Sequence, residues 1–455
     1  MELFFYNIFL ILFKTGVRIA SLFNTKAKKW LHGRKGIWAK LKLEIGSRIP
    51  IAIGTEAGSQ ITTVIGTEME SQKSVREHSI IWLHCASLGE FEQGRPVIER
   101  LKAQGLGYKI LLTFFSPSGY EIRKDFTGAD WVFYLPMDGP KNATRFLQIV
   151  NPSLVIFVKY EFWYYYLKEI KHSNTPILLI SALFRENSVF FKWYGGLQRK
   201  MLSFFDHLFV QNKASKRLVD GIGLADQSSV SGDTRFDRVI EIAEKFTPIH
   251  IIEQFVGNSK TIVAGSTWPE DEHTLQRAIA TINDPSLKLV IAPHEINKEH
   301  ITQLQKLFPE SILYSQLSGN NQQPESRIPD PAAHNTLIID NIGMLSRLYK
   351  YAFITYVGGG FGKGIHNTLE AAVYGKPVLF GAAYHKFQEA IDLVNSGGAI
   401  SINNTEDCIT AIQKLIQDDS AYTRSCEKSK DYVYANRGAT EKIMKFIQEK
   451  RLLTN

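Results

Sequence analysis

The sequence predicts an α/β protein built from two Rossmann-like domains that follow an apolar helix. Its 455 residues exceed what one hydrophobic core usually organises. Short apolar runs alternate with helical patterns from Ile80 to Val210, and a second series of this kind runs from Thr261 to Phe380. Such alternation is typical of parallel sheets with helical crossovers. We therefore expect two domains of this type facing a cleft, with ligands bound at the carboxyl ends of their strands.

The predicted organisation has three parts. Residues 1–24 form a membrane-anchoring helix, residues 25–240 the N-terminal domain and residues 241–455 the C-terminal domain. Within the N-terminal domain, residues 47–78 are rich in Gly, Ser, Thr and Glu and show little apolar periodicity. This composition predicts a flexible insertion.

The N-terminal segment combines an apolar run with basic residues. The run extends from Leu3 to Phe13. The basic residues that follow it are Lys14, Arg18, Lys26, Lys28, Lys29, Arg34, Lys35, Lys40, Lys42 and Arg48. Charges that border an apolar helix favour an anionic membrane surface over nucleic acid, and a signal peptide would carry them before the run. A full span needs about 20 apolar residues, so spanning the membrane and lying in its interface both remain open.

The composition limits other kinds of chemistry. The cysteines Cys85, Cys408 and Cys426 lack the spacing of a zinc site or a disulfide framework, which fits a reducing cytosol. The sequence contains no HExxH, nucleophile-elbow or DxD pattern. We therefore expect a mechanism without a metal or a cofactor.

Glu90 is the first candidate for catalysis, because it stands at the carboxyl end of the predicted strand Ile80–Leu83. Ser87 and Glu90 also have the spacing of a capping box, which would make Glu90 structural. Pro96 would break a helix capped at Ser87, so we expect the helix to begin near Glu92 and Glu90 to lie on a loop. Catalysis and capping both remain open from these residues alone.

Two further residues follow predicted strands. Glu161 comes just after Leu154–Val158, where it would serve either in catalysis or as a salt-bridged support. His294 follows the strand Lys288–Ala292, but a lone histidine is a weak signal in any context.

A pair of hydroxyls marks another strand end. Ser266 and Thr267 follow Gly265 and precede Pro269, and proline is typical of the first helical position. Free amides at a helix start, together with hydroxyls, can bind an anion. Simple capping of the helix by one hydroxyl is the alternative.

The most informative motif is rich in glycine. Gly358–Gly360, Gly362 and Gly364 follow the strand Ala352–Val357, and His366-Asn367 then opens a predicted helix that contains Glu370. Glycines let a ligand approach the backbone, the helix start favours phosphate, and Glu370 could reach ribose hydroxyls. An Asn367–Glu370 capping box is the alternative. The motif is not a Walker sequence, so a nucleotide-sugar site in the second domain fits best.

These motifs together resemble the Kdo transferases of lipopolysaccharide assembly. The N-terminal half of that family is similar to SLGE (87–90), SPSG (116–119), LPMDGPKNATRFLQIVNP (135–152) and YEFW (160–163). Its linker and C-terminal half are similar to VSGDTRFDRV (230–239), AGSTWPEDE (264–272) and GGGFGKGIHNTLEAA (358–372).

The resemblance implies a GT-B fold and a glycosyltransferase at the cytoplasmic side of the inner membrane. It implies inverting transfer of Kdo (3-deoxy-D-manno-octulosonic acid) from CMP-Kdo to a lipid A precursor, with Glu90 as general base and Glu161 as a second catalytic residue that matches the second acidic position of the family's N-terminal domain. On the CMP-binding side the family pattern matches Ser266, His294, Gly359, Asn367 and Glu370, to which the motifs above add Thr267 and Gly360. The family commonly has Pro-Arg-His at Ala292–His294, so Lys363 or Arg185 is expected to supply the missing charge.

Three other functions remain as alternatives. A GT-B transferase that uses a UDP-sugar and a lipid acceptor is the nearest. A nucleotide-sugar epimerase of the same fold would not need the anchor. A non-enzymatic protein that binds membranes or nucleic acid is disfavoured by Glu90 and by the glycine cluster.

Overall fold

The computed structural model of the chain describes residues 2–46, 79–318, 330–362 and 364–453. They form two compact units, the first comprising Met1–Thr234 with Gly438–Asn455 and the second Arg235–Arg437. The predicted insertion at residues 47–78 and the predicted donor residue Lys363 lie outside the described residues.

The first unit is a parallel sheet of seven described strands in the order β3-β2-β1-β4-β5-β6-β7. The strands are β1 Ile80–Cys85, β2 Lys109–Phe114, β3 Trp131–Tyr134, β4 Leu154–Val158, β5 Ile177–Ala182, β6 His207–Val210 and β7 Ser228–Val230. The helices are α1 Glu2–Ala20, α2 Thr25–His32, α3 Ile37–Glu44, α4 Leu88–Ala103, α5 Pro117–Arg123, α6 Pro140–Val150, α7 Tyr164–His172, α8 Gly196–Leu202 and α9 Lys213–Asp220. Successive strand residues point to opposite faces, so Trp82 joins one core layer and Leu83 the other.

The second unit is also a parallel sheet of seven described strands, in the order β10-β11-β9-β8-β12-β13-β14. The strands are β8 Thr261–Thr267, β9 Lys288–Pro293, β10 Ser311–Leu313, β11 Thr336–Ile338, β12 Ile354–Val357, β13 Val378–Gly381 and β14 Ala399–Ile402. The helices are α10 Thr234–Glu244, α11 His250–Val256, α12 Pro269–Ile282, α13 Lys298–Leu307, α14 Tyr314–Leu317, α15 Leu345–Leu348, α16 Leu369–Ala372, α17 Gln388–Ser396, α18 Thr405–Gln417 and α19 Asp419–Ala435. The predicted α/β class with two parallel sheets is confirmed.

The last helix, α20 (Ala439–Glu449), belongs to the first unit. Its buried residues Ile443, Met444 and Ile447 join the core layer that contains Leu83. The compact units therefore differ from the predicted domains, which placed the boundary at residue 240 and the whole C terminus in the second domain.

Helix α4 corrects one local prediction. It begins at Leu88, directly after Ser87, and continues through Pro96 to Ala103. Proline inside a helix costs roughly 3 kcal/mol. Burial of apolar side chains, at roughly 1.5–3 kcal/mol each, offsets that cost, and Phe91, Val97, Ile98 and Leu101 are buried on α4. Gly94 also helps, because a Cβ there would lie 3.0 Å from Leu83 Cδ2, so the helix can sit close to the sheet.

Helix α1 is long and apolar enough to cross a membrane, by its length and composition alone. Of its 19 residues only Leu10 is buried. The helix nevertheless packs against the first unit, since Leu3 and Tyr6 lie on the core layer that contains Trp82.

Candidate active site

Each sheet reverses its strand order at one point, and the predicted site residues lie there. In the first unit the reversal falls between β1 and β4, and the connections after these strands carry Glu90 and Glu161. In the second unit it falls between β8 and β12; Ser266 lies at the carboxyl end of β8, and the glycine cluster follows β12. Open α/β sheets bind their ligands at such reversals, beyond the carboxyl ends of the strands.

Glu90 lies in the first turn of α4, not on a loop as predicted. Its Oε2 accepts a hydrogen bond of 2.9 Å from Ser87 Oγ, so it does interact with the residue before the helix. Burial raises the pKa of the Glu90 carboxyl, and the negative charge of Glu161 raises it further, while Ser87 and Lys159 act in the opposite direction. The carboxylate is therefore a stronger base than an exposed one, and capping does not exclude a chemical role.

Glu161 is buried and held by two donors. Its Oε2 lies 2.9 Å from His84 Nε2 and accepts a 2.6 Å bond from Trp163 Nε1. On the far side of the ring, His84 Nδ1 lies 2.8 Å from Thr113 Oγ1, which itself accepts a bond from Trp82 Nε1. His84 Nδ1 also lies 3.1 Å from the backbone carbonyl oxygen of Thr113, so both ring nitrogens have polar partners and the ring is held between Thr113 and Glu161. Sequence reasoning missed His84, although a histidine inside an apolar strand was a visible signal.

Two residues at strand ends of the first unit have left-handed backbone angles without being glycine. Lys159, after β4, has φ of 64°, and Ser181, within β5, has φ of 53°. Such conformations cost about 1–3 kcal/mol and are frequent at functional sites. Lys159 is the positive charge that lowers the pKa of Glu90. Arg185, one of two expected replacements for the family arginine, also belongs to this unit; burial raises the pKa of Tyr160, and the charge of Arg185 opposes that shift.

In the second unit, the carboxyl end of β8 lies against the glycine cluster. Ser266 is half-buried with φ of 54°. A Cβ on Gly358 would collide with the backbone of Ser266 and Thr267, and one on Gly360 with the backbone of Gly381. Packing alone therefore requires glycine at positions 358 and 360. No ligand contact is needed to explain the glycine at position 360.

Asp271, which sequence reasoning missed, takes up much of the hydrogen-bonding capacity at the start of α12. Its buried carboxylate accepts bonds from the amides of Trp268 (2.9 Å) and Gly359 (2.8 Å) and from Tyr356 Oη (2.8 Å). Asp271 thus occupies one amide of the predicted anion site, that of Trp268. The predicted ligand Thr267 is fully buried and donates to Glu272 at 2.9 Å, so its hydroxyl supports the core.

Three stacked rings lie beside the glycines, and two of them, Trp268 and His366, line a cavity. The ring centroids of Trp268 and His294 lie 4.7 Å apart, those of His294 and His366 lie 4.4 Å apart, and Trp268 Nε1 donates to His366 Nε2 at 3.1 Å. Burial and the neighbouring His294 lower the pKa of His366 to about 4, so that ring is neutral at pH 7 with its proton on Nδ1. The cavity measures ≈ 280 Å³ and is lined by Trp268, Glu270, Asp271, Gly359, Phe361, Gly362, Gly364 and His366.

Asn367 and Glu370 lie together at the other side of this connection. Asn367 Nδ2 donates to Glu370 Oε1 at 2.9 Å, and Asn367 Oδ1 accepts from the amide of Leu369. The predicted helix from His366 is wrong, because α16 spans only Leu369–Ala372, and one turn contributes little dipole. Burial raises the pKa of Tyr349, whose side chain lies against Gly265 near the end of β8, and the charge of Glu370 raises it further. Glu370 is thus placed near the carboxyl end of β8.

Within the described ranges of the chain, no group of three or more His, Cys, Asp or Glu side chains could hold a metal ion. The carboxylates described above are instead satisfied by amides, hydroxyls and ring N–H groups. Metal independence remains a prediction.

Comparison with known proteins now gives the family. Residues 61–238 match the family model described as 3-deoxy-D-manno-octulosonic-acid transferase (kdotransferase). The 3-deoxy-D-manno-octulosonic acid transferase of Aquifex aeolicus is 28% identical over 357 residues, which cover 76% of this chain and 88% of that protein. The Haemophilus influenzae protein of the same name is 24% identical over 382 residues, covering 81% and 86%. The chain is a Kdo transferase homologue.

This relationship confirms the predicted family and makes the protein a glycosyltransferase. A solved UDP-GlcNAc 2-epimerase of Neisseria meningitidis, bound to UDP-GlcNAc, shares the fold of this Kdo transferase homologue with a TM-score of 0.58 and 18% identity. The likeness covers 82% of this chain and 100% of the epimerase. It supports the predicted GT-B type of fold, and it carries no information about the sugar used.

Proposed function

We propose that this protein transfers Kdo from CMP-Kdo to a lipid A precursor, with inversion, at the cytoplasmic side of the inner membrane. The proposal rests mainly on the position of Glu90 in a Kdo transferase homologue. Its carboxylate is largely buried, lies at the strand-order reversal of the first sheet, and has its pKa raised by burial and by the charge of Glu161. Its position and its raised pKa are what a general base needs.

In the proposed reaction Glu90 removes the proton of the acceptor hydroxyl. The acceptor oxygen forms a bond to the anomeric carbon of Kdo while the bond from that carbon to the phosphate oxygen of CMP breaks on the opposite face. The configuration is therefore inverted, and Glu90 ends protonated. The anomeric carbon is tertiary, so the transition state resembles an oxocarbenium ion. Glu161, fixed by His84 and Trp163, keeps negative charge beside this developing cation.

The donor is proposed to bind the second unit, around Ser266, His294, Gly359, Asn367 and Glu370. Glu370 is suited to accept hydrogen bonds from the ribose hydroxyls. His366, whose Nε2 is already engaged by Trp268, has its Nδ1–H available as a neutral donor to the phosphate. Gly360 and Thr267 support the backbone around this site, and Lys363 is proposed to supply positive charge.

Metal independence follows from the chemistry of the donor. The leaving group of a CMP-sugar is CMP, a nucleoside monophosphate that was joined to the sugar by a single phosphodiester. It carries fewer negative charges to neutralise than a nucleoside diphosphate does. Amide and ring N–H donors together with basic side chains can stabilise that leaving group. We therefore expect EDTA to leave turnover unchanged. Loss of turnover in EDTA that magnesium or manganese restores would contradict this part of the proposal.

The donor and acceptor are tested with the purified full-length protein and a lipid A precursor. CMP-Kdo and UDP-GlcNAc are supplied in separate reactions, and nucleotide release is followed together with the mass of the lipid product. We expect release of CMP only when the lipid is present, and a product heavier by one or more Kdo units. Release of UDP with a modified lipid, or conversion of UDP-GlcNAc without lipid, would identify one of the alternative enzymes instead.

Glu90→Gln tests the catalytic assignment. The amide keeps the shape of the side chain but cannot take a proton, so we expect turnover to fall by about 10²–10⁴-fold while CMP-Kdo still binds. Glu99→Gln is the matched control, because Glu99 lies on the same helix and pairs at the surface with Arg95. A loss below tenfold for Glu90→Gln would return Glu90 to a purely capping role.

A further inference from the structure

Helix α1 is fixed to the first unit along one face. Leu3, Tyr6, Leu10 and Phe13 recur at helical spacing on the side that packs inward. Tyr6 Oη donates to Asp138 Oδ2 at 2.6 Å, which joins the helix to a buried carboxylate. A second polar link comes from Tyr165 Oη, which donates to the side chain of Asn7 on the same face.

The opposite face of α1 is apolar and exposed. Phe4, Phe5, Ile11, Leu12 and Ile19 are each at least 59% exposed. Leu22 and Phe23, just beyond the end of the helix, are exposed even more. Several exposed cations accompany this apolar face, and they are Lys14, Arg18, Lys26, Lys28 and Lys29. An amphipathic surface of this composition is typical of helices that bind anionic membrane interfaces.

A second exposed aromatic pair lies next to the start of α1. Gly196 touches the first turn of the helix, since a Cβ there would lie 2.7 Å from Glu2 Oε1. Just before it, Trp193 is 90% exposed and Tyr194 is 52% exposed. Their segment is held in place by Arg199, which donates to the carbonyls of Phe190 and Lys192. Trp and Tyr side chains are enriched at membrane–water interfaces, so this pair on a fixed loop is suited to contact a membrane.

We propose that α1 lies in the plane of an anionic membrane surface and does not span it, and that Trp193 and Tyr194 form a second point of membrane contact. The proposal rests on the membrane location of the proposed function and specifies how the protein meets the bilayer. A spanning α1 would separate Tyr6 and Asn7 from their partners and place polar groups in hydrocarbon, where each unsatisfied group is costly. The in-plane helix keeps these bonds and buries only its apolar face.

The orientation of α1 is tested in bacterial spheroplasts with a protease-cleavable epitope tag on the N terminus of the full chain. A spanning helix with its basic residues in the cytoplasm would place the tag outside, where added protease removes it. We expect the tag to be protected until the cells are lysed. Cleavage in intact spheroplasts would overturn the in-plane orientation.

The aromatic contact is tested by flotation with vesicles of phosphatidylglycerol and phosphatidylcholine, without donor or acceptor. Failure of sugar transfer therefore cannot affect the result. We expect the double variant W193A/Y194A to bind about tenfold more weakly, as expected when a large apolar side chain no longer leaves water. Ile342→Ala is the control, because Ile342 is equally exposed but belongs to the second unit.

Two results would overturn the aromatic contact. One is equal vesicle binding by W193A/Y194A and the wild-type protein. The other is a lipid-free dimer of the wild-type chain that W193A/Y194A abolishes, which would assign the aromatic pair to contact between copies of the protein. Sedimentation equilibrium in detergent-free buffer measures that state.

Discussion

At the residue scale, Glu90 experiences opposing influences. Burial and the charge of Glu161 favour its protonated form, while Lys159 and the hydrogen bonds of Ser87 favour its ionised form. A general base must be ionised, so the role proposed for Glu90 predicts that activity is lost as the pH falls through its pKa. Under this proposal, the neighbours of Glu90 determine the acid limit of activity.

This balance predicts two shifts of opposite sign. Glu161→Gln removes a negative neighbour, lowers the pKa of Glu90 and should move the acid limb of the kcat/KM profile to lower pH. Lys159→Met removes a positive neighbour and should move the same limb to higher pH. The pH profile of each variant with CMP-Kdo measures these shifts, whatever the height of the plateau. Shifts in the same direction, or none, would show that Glu90 is not the group that titrates.

Position along the chain revealed only some of the residues around Glu90. Glu90 and Glu161 could be found because each follows an apolar strand, and parallel strands present their carboxyl ends at one edge. His84 is different, because its importance comes from a partner 77 residues away that no local pattern reveals. Asp271 was hidden for the same reason, since it looks like an ordinary acidic residue of a first helical turn.

At the element scale, the glycine-rich connection has two kinds of glycine. A Cβ on Gly360 would collide with Gly381, whereas the nearest atom to a Cβ on Gly362 is a carbonyl oxygen at 3.9 Å. Gly360→Ala should therefore lower the free energy of unfolding by about 1–3 kcal/mol, as overpacking does. Gly362→Ala should leave stability unchanged. Thermal unfolding of the two variants tests this, and we expect a lower melting temperature for Gly360→Ala than for Gly362→Ala. Equal melting temperatures would refute the packing role of Gly360.

Elements were easier to predict than their ends. The strands that flank the sites, such as Ile80–Cys85 and Leu154–Val158, lie where the apolar runs placed them. The start of α4 was wrong because local rules weigh Pro96 without the apolar face that the helix buries. The start of α16 was wrong because Asn367 and Glu370 bond to each other and the helix begins only at Leu369.

At the scale of the whole molecule, the chain returns to its first unit in α20. Ile443, Met444 and Ile447 are buried there, each worth roughly 1.5–3 kcal/mol. Deleting residues 438–455 should therefore loosen the N-terminal unit, although the deletion is at the other end of the chain. Hydrogen exchange should speed up in α4, which contacts α20, and stay unchanged in α12. Faster exchange confined to α18 and α19 would contradict the assignment of α20 to the first unit.

The number of sheets was readable from the sequence, but the division of the chain was not. Periodicity shows that the last segment is a helix with an apolar face, and it does not show which core covers that face. Only the contacts of Ile443 with the layer of Leu83 answer that question.

The bond between Tyr6 and Asp138 has a practical consequence for biochemists who trim the first helix to obtain a soluble protein. Asp138 also accepts hydrogen bonds from the backbone amides of Tyr165 and Tyr166, in the first turn of α7, which begins shortly after Glu161. Removing α1 takes one hydrogen-bond donor from that carboxylate and uncovers it to water, beside the start of α7, which is close in sequence to Glu161. A trimmed enzyme can thus lose speed even on a water-soluble acceptor, and its rate is no measure of the intact protein.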